Sequence, residues 1–204
     1  MTVPELPERD AQRANMRRLL RRRRADLSPD EVASASMAVV GRLTQIPVVR
    51  HATTLAGYRA IRGEVNVDEF LASVTARGAV VTVPRVEGTA LTMMRWAADT
   101  PSATGAFGID EPLVGEAVPF GDHDAIVVPL VAFDDRGGRL GQGGGFYDRA
   151  IAAAPSRPLL IGVAHAFQQV PAVPLEAWDQ RLDAVVTDEA VFEFRPGVLG
   201  HPGS

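Results

Sequence analysis

Between Gly137 and Gly145 six of nine residues are glycine, and the segment joins an apolar run, Ile126 to Phe133, to a helix-forming stretch from Tyr147 to Ala154. Glycines lack a Cβ, so backbone N–H groups can turn inward and approach an anion closely, and a helix N-terminus adds unpaired donors and partial positive charge. Phosphate suits this chemistry. The alternative is a flexible turn, but open α/β sheets bind their ligands where a buried strand ends, and that position favours a ligand. Arg139 stands inside the loop, with a fork able to hold two phosphate oxygens. Asp148 follows at the start of the helix. An Asp there can serve the helix dipole, worth about 0.5 kcal/mol. Beside a phosphate cradle it can also offer a hard oxygen donor to a Mg²⁺ ion bridging protein and phosphates. Asp179 is a candidate second carboxylate, although spacing alone does not bring it close.

The cations of this chain are of one kind: it has no Lys, and all 21 basic residues are Arg. Schiff-base chemistry and a phosphate-binding lysine are thereby excluded. With no Cys, thiol nucleophiles, disulfides and zinc-thiolate sites are excluded too. The four His, at 51, 123, 165 and 201, have no metal-ligand spacing and read as ordinary polar or core residues. Residues 1 to 24 carry eight Arg against Glu5, Glu8 and Asp10, a balance of +5 that leaves −9 for the rest. A basic arm on an acidic body suits an anion met by the arm and argues against general nucleic-acid binding. Arg13 and Arg17 are four residues apart and share a helix face, with Arg21 a turn further on. That stripe can reach a triphosphate or form a solvated face.

These residues need a frame. At 204 residues and 46% hydrophobic, the chain can bury a substantial core as one domain. No apolar run approaches the ~20 residues that span a bilayer, and the N-terminus has no long apolar segment, so a cytoplasmic location is expected. The pattern predicts a helix over 8–26 with a thin apolar stripe at Met16, Leu19 and Leu20, then a second helix opened by the capping box Ser28-Pro29-Asp30-Glu31. Strands are expected at Thr53 to Tyr58, at Ala79 to Val83 stopped by Pro84, and at Leu91 to Trp96, with a helix capped by Asn66 between the first two. Residues 97 to 124 read as a long surface excursion. Ile126 to Phe133 reads as a buried strand carrying an awkward Pro129, and two short strands follow at Leu159 to Val163 and Ala184 to Thr187. Met93, Met94 and Trp96 read as core. Alternating strands and helices imply a three-layer α/β/α sandwich over a mostly parallel sheet. The domain is expected to span 1–195, with a disordered tail from Pro196.

The run Arg139-Leu140-Gly141-Gln142-Gly143-Gly144-Gly145-Phe146-Tyr147-Asp148-Arg149 resembles the RLGxGxGYYDR signature of the 5-formyltetrahydrofolate cyclo-ligase family, also called 5,10-methenyltetrahydrofolate synthetases. The likeness extends from the Arg-rich first helix through Tyr58, Glu64-Val65-Asn66, Phe107 to Pro112 and Val128-Pro129-Leu130 to Asp179 and Asp183 to Thr187. It implies an ATP- and Mg²⁺-dependent α/β/α enzyme that converts 5-formyltetrahydrofolate to 5,10-methenyltetrahydrofolate and releases ADP and phosphate. By the same resemblance, Arg13, Arg17, Arg139, Gly141, Gly143, Gly144, Gly145, Phe146 and Tyr147 would bind ATP, and Asp148 and Asp179 the metal. Reduced folate would meet Tyr58, Ile61, Glu64, Asn66, Phe107, Gln142 and Phe146, with Arg139, Tyr147 and Asp148 as the catalytic set. Arg13 stands where the family usually has Lys, Asn66 where an acid is frequent, Gln142 where Tyr or Arg is common, and Phe146 where Tyr is usual.

The implied reaction fits the residue inventory. Amide resonance makes an N-formyl carbon a poor electrophile, and its oxygen is a poor leaving group. Phosphorylating that oxygen cures both defects, and the neighbouring nitrogen can then close the ring intramolecularly. Phosphoryl transfer asks mainly for positioning and positive charge, which Arg139, Mg²⁺ and loop amides supply without Cys, Lys or His. Two other classes compete: a sugar-phosphate or CoA enzyme of related architecture, which would turn over without folate, and an RNA-binding module using the Arg helix, which would bind with a steep salt dependence. The expected partners are small molecules, with no nucleic acid or membrane and a monomeric chain.

Overall fold

The computed structural model describes residues 6–105 and 107–200. Helix α1 (Leu6–Ala25) precedes α2 (Pro29–Leu43), whose start is fixed by the expected capping box: Ser28 Oγ accepts from Glu31 N–H, and the Glu31 carboxylate accepts from Ser28 N–H. The short α3 (Pro47–His51) leads into β1 (Thr54–Ala56), α4 (Asp68–Ala76), β2 (Val80–Glu87) and β3 (Ala90–Arg95). Three short strands follow, β4 (Ser102–Thr104), β5 (Asp110–Pro112) and β6 (Ala117–Val118), within the segment expected to be a surface excursion. Next come β7 (Ala125–Pro129), β8 (Ala132–Phe133), β9 (Arg139–Leu140), α5 (Phe146–Ala153), β10 (Leu159–Ala164), β11 (Ala184–Thr187) and β12 (Val191–Glu193).

Eight strands form one sheet in the order β12-β11-β10-β7-β1-β2-β3-β6. The five from β11 to β2 are mutually parallel, and β12, β3 and β6 are antiparallel additions at the edges. Alternate residues of the central strands serve opposite faces. Val127, Ile161 and Val186 pack with α2, α3 and α4 through Val39, Leu43, Val49, Phe70 and Leu71. Ile126, Val128, Leu160 and Val185 pack on the other side with Ile151 of α5. The result is the expected three-layer α/β/α sandwich. A smaller cluster of Ala132, Leu140 and Val173 receives Met16 and Leu20, the apolar stripe of α1; Leu19, expected in that stripe, is exposed.

Local departures have local causes. Strand β2 runs through Pro84 instead of stopping there. Thr82, two residues earlier, directs its carbonyl at Gly57 N–H on the β1 side, and β1 has ended by Pro84, so no ladder bond asks for the missing N–H. The first strand is also shorter than expected, Thr54–Ala56. Pro129 ends β7, dividing the apolar run into β7 and β8. Helix α4 begins at Asp68, whose N–H donates to Asn66 Oδ1 at 2.8 Å. Of the segment read as a disordered tail, residues 196–200 are described and place Val198 and Leu199 against the core, while 201–204 lie outside the described residues.

Candidate active site

The glycine-rich stretch is not one loop. Arg139 and Leu140 pair with Phe133 and Ala132 as a hairpin, whose turn is held by the buried Asp134 carboxylate accepting from Arg136, Gly138 and Val173 N–H. Only Gly141 to Gly145 remain as the loop into α5. Gly143 and Gly145 hold positive φ, 112° and 63°, which a side chain would resist, and α5 starts at Gly145 without a side-chain cap. The first amides of α5 therefore have no side-chain acceptor at the cap.

This loop lines a cavity of about 640 Å³ beyond the carboxyl ends of β1 and β7, where Tyr58 and Pro129 also reach it. Helix α1 closes one side. Its arginines at 9, 13, 17, 21 and 24 recur at helical spacing, and each is committed to the body of the protein. Arg9 Nη1 meets Glu176 at 3.0 Å and Arg13 Nη1 meets Asp179 Oδ2 at 2.6 Å. Arg17 Nε donates to Gly141 O at 2.9 Å, and Arg21 donates from Nε to Gln142 Oε1 and from Nη2 to Gln142 O. Arg24 pairs with Glu64 at 3.2 Å. Burial, followed by repulsion from Arg13 and Arg21, lowers the affinity of Arg17 for its proton, and burial with Arg24 and Arg62 does the same to Arg21. A bound anion would relieve that repulsion.

Across the cavity Arg139 Nη2 donates to Asp148 Oδ1 at 2.8 Å, and Nη1 donates to the Gln180 carbonyl. Its burial depresses its pKa and the Asp148 charge opposes the shift. Gln180 N–H also donates to Asp148 Oδ1. Asp179 accepts from Arg13 and from Glu176 N–H on Oδ2 alone. Among the described residues the hydrogen bonds to each aspartate thus fall on one oxygen, and the second oxygen of each accepts none. Two carboxylates and phosphate oxygens suit a hard ion such as Mg²⁺; no group of three or more His, Cys, Asp or Glu that could hold a metal occurs among the described residues.

The remaining wall is apolar and aromatic. Phe107 meets Phe146 edge-on at 5.4 Å between centroids, with Val86 and Leu91 also on the lining. Buried Tyr58 donates its hydroxyl to Val65 O. Tyr147 is half-buried, and its hydroxyl, shielded from solvent, has no hydrogen-bond partner among the described residues. Burial first, and Glu64 next, raise its pKa, so it stays a neutral donor. Burial raises the Glu64 carboxyl above its usual range, while Arg24, Ile61 N–H and Gln142 pull it back.

Of the residues singled out from the sequence, all except Asn66 line this cavity. Asn66 is exposed, accepts from Asp68 N–H and donates its backbone N–H to Ser36 Oγ. Asn66 thus stands outside the cavity lining, with its side chain bonded to the first residue of α4. Arg24 and Trp178 were missed, although Arg24 continues the spacing of the Arg stripe and Trp178 precedes Asp179.

A parallel-centred sheet between two helical layers, with a glycine loop and facing arginines at the carboxyl ends of its strands, places the chain among α/β proteins. Residues 9–188 match the 5-formyltetrahydrofolate cyclo-ligase family. Over 173 residues, 82% of this chain and 92% of the relative, it is 32% identical to the 5-formyltetrahydrofolate cyclo-ligase of Haemophilus influenzae. It is 31% identical over 184 residues to that of Escherichia coli K12, covering 86% of this chain and 100% of the other. The NMR structure of Aquifex aeolicus 5,10-methenyltetrahydrofolate synthetase superposes with a TM-score of 0.80 at 34% identity, covering 94% of this chain and 96% of that one. The chain belongs to the 5-formyltetrahydrofolate cyclo-ligase family of enzymes.

Proposed function

We propose that the protein converts 5-formyltetrahydrofolate to 5,10-methenyltetrahydrofolate at the expense of ATP, with Mg²⁺, releasing ADP and phosphate. The observation that carries this reading is the union in one cavity of the Gly141 to Gly145 loop, the Arg17 and Arg139 guanidiniums and the aromatic pair Phe107 and Phe146. The loop amides, Arg17, Arg139 and the Arg13 end of α1 would hold the triphosphate. The aromatic wall, with Tyr58, Ile61, Glu64 and Gln142, would hold the reduced folate.

The γ-phosphoryl group passes to the formyl oxygen as the bond to ADP breaks. The adjacent nitrogen then attacks the activated carbon and loses its proton, and phosphate leaves with the original formyl oxygen. Arg139 would face the charge that spreads over the transferring phosphoryl oxygens. Asp148 and Asp179 would hold Mg²⁺, which would supply charge neutralisation for the transferring phosphoryl group. Tyr147 would donate to a substrate oxygen, since its hydroxyl has no protein partner among the described residues. Helix α1, which lines one side of the cavity, would limit the access of water and so favour ring closure over hydrolysis of the activated formyl group.

The test is direct: purified protein with ATP, Mg²⁺ and 5-formyltetrahydrofolate, followed by the near-ultraviolet absorbance of the methenyl product. Product is expected only when all three are present. Product without ATP would defeat the mechanism, and no product at all would defeat the function. Among the described residues no helix is long and apolar enough to cross a membrane. The reading includes a monomer working in the cytoplasm, and light scattering checks the first part.

A further inference from the structure

We propose that the exposed indole of Trp178 is the platform on which the purine base of the nucleotide stacks. The inference rests on the ATP reading above and adds to it the site of the base, which the loop and arginines leave open. Trp178 is 65% exposed yet lines the cavity, whereas the protein's other tryptophan, Trp96, is 6% exposed in the core. An exposed indole on a mobile turn would be a poor surface for a ligand, but this turn is tied on every side. Arg9 holds Glu176, Arg13 holds Asp179, Asp179 Oδ2 accepts from Glu176 N–H at 2.9 Å, and Arg139 and Asp148 hold the Gln180 backbone. The fold thus fixes the backbone on both sides of Trp178 and leaves its ring to solvent at the cavity mouth.

Order along the site decides which ligand it meets. Helix α1 acts as a ruler: Arg13 marks the Trp178 end through Asp179, Arg17 marks the glycine loop, and Arg24 marks the Glu64 end. Arg13 and Arg24 are about 16 Å apart at the helical rise per residue. Glu64, Ile61 and Tyr58 lie at the far end from Trp178, so the folate belongs there. Because the γ-phosphate must face the formyl group, the α-phosphate, ribose and base extend the other way, past Asp179 and onto the indole. Stacking on an aromatic plane accepts any base, so Trp178 would supply affinity for a nucleoside triphosphate more than selectivity for adenine.

The experiment pairs kinetics with fluorescence. Trp178→Ala should raise the KM for ATP about tenfold, leave the KM for 5-formyltetrahydrofolate unchanged, and leave Tm unchanged because the side chain is exposed. Trp178→Phe should restore most of the ATP affinity. ATP should alter the indole emission of the native protein while inorganic tripolyphosphate, which has the charge without the base, should not, and Trp178→Phe should lose the ATP response. An unchanged KM for ATP in the alanine variant, or a rise in the folate KM instead, overturns the platform while ATP-dependent turnover of the native protein keeps the parent reading alive. Native turnover that needs no ATP overturns both.

Discussion

Arg24 and Glu64 form an ion pair inside the protein: Nη1 and Oε1 are 3.2 Å apart, and the side chains are 3% and 6% exposed. Neither charge would be tolerated there alone, because desolvation of one ion costs several kcal/mol. The same Oε1 accepts from Gln142 Nε2 at 2.9 Å, and Gln142 is held in turn by Arg21. The far end of α1 is thereby joined to the cavity wall and to the start of the glycine loop.

Replacing Arg24 by Gln should cost about 3–5 kcal/mol, because it strands a buried carboxylate. It should also change how stability depends on pH. Glu64 already has a raised pKa, with burial as the main cause and Arg24 opposing it. The native state therefore holds the proton more tightly than the unfolded chain, and stability falls as pH rises from the unfolded carboxyl value through the folded one. Without Arg24 the folded value rises further, so urea unfolding at a series of pH values should show that decline persisting to higher pH than in the native protein.

Asp148→Asn should lose most turnover and shift the Mg²⁺ dependence, because a charged oxygen donor goes with almost no change in shape. The structure adds a second effect. Arg139 keeps only a neutral partner at this position, so stability should drop by about 1–3 kcal/mol. Rate against Mg²⁺ concentration separates the two: a lower rate with unaltered Mg²⁺ dependence would mean that Asp148 acts only by orienting Arg139.

Arg17→Ala should raise the KM for ATP about 10- to 100-fold, the loss of one charged hydrogen bond to phosphate, and leave the folate KM nearly unchanged. Its Nε is taken by Gly141 O, and the rest of the guanidinium faces the cavity. Adding Arg13→Ala should raise it further and also loosen Asp179. Titrating each substrate at saturating levels of the other reads the partition.

Tyr147→Phe should stabilise the unliganded protein by about 1 kcal/mol, since it removes a buried hydroxyl without a partner among the described residues. It should also lower kcat. Thermal unfolding and single-turnover kinetics measured on the same variant test this, and a variant that is less stable yet fully active would contradict it.

The sheet, the three layers and most of the site were legible because their signals are local: the capping box, apolar runs of the right length, and a glycine loop before a helix. The hairpin inside that loop was hidden, because the two-residue strands β8 and β9 are too short to show an alternation of their own. Strand β12 was missed for a similar reason, being three residues long and exposed on both ends. The arginines of α1 were read either as a solvated face or as a reach toward phosphate, and the structure shows why spacing could not decide. For Arg9, Arg13, Arg17 and Arg21 the partners are carbonyls and side chains of segments 121 to 167 residues away. For Asn66 the sequence offered two roles, a helix start from local chemistry and a folate contact from likeness; the first is seen as the bond from Asp68 N–H, while the residue stands apart from the cavity lining.

The eight-stranded sheet ends at one edge in β6, two residues, and at the other in β12, three. Strands so short present little unpaired backbone in register, and the long buried strands β7 and β10 have neighbours on both sides. At these two terminal strands a second chain therefore finds only a short ladder to extend. Short terminal strands work against sheet-to-sheet association, and lengthening β6 or β12 with alternating apolar residues is the change most apt to make the protein aggregate.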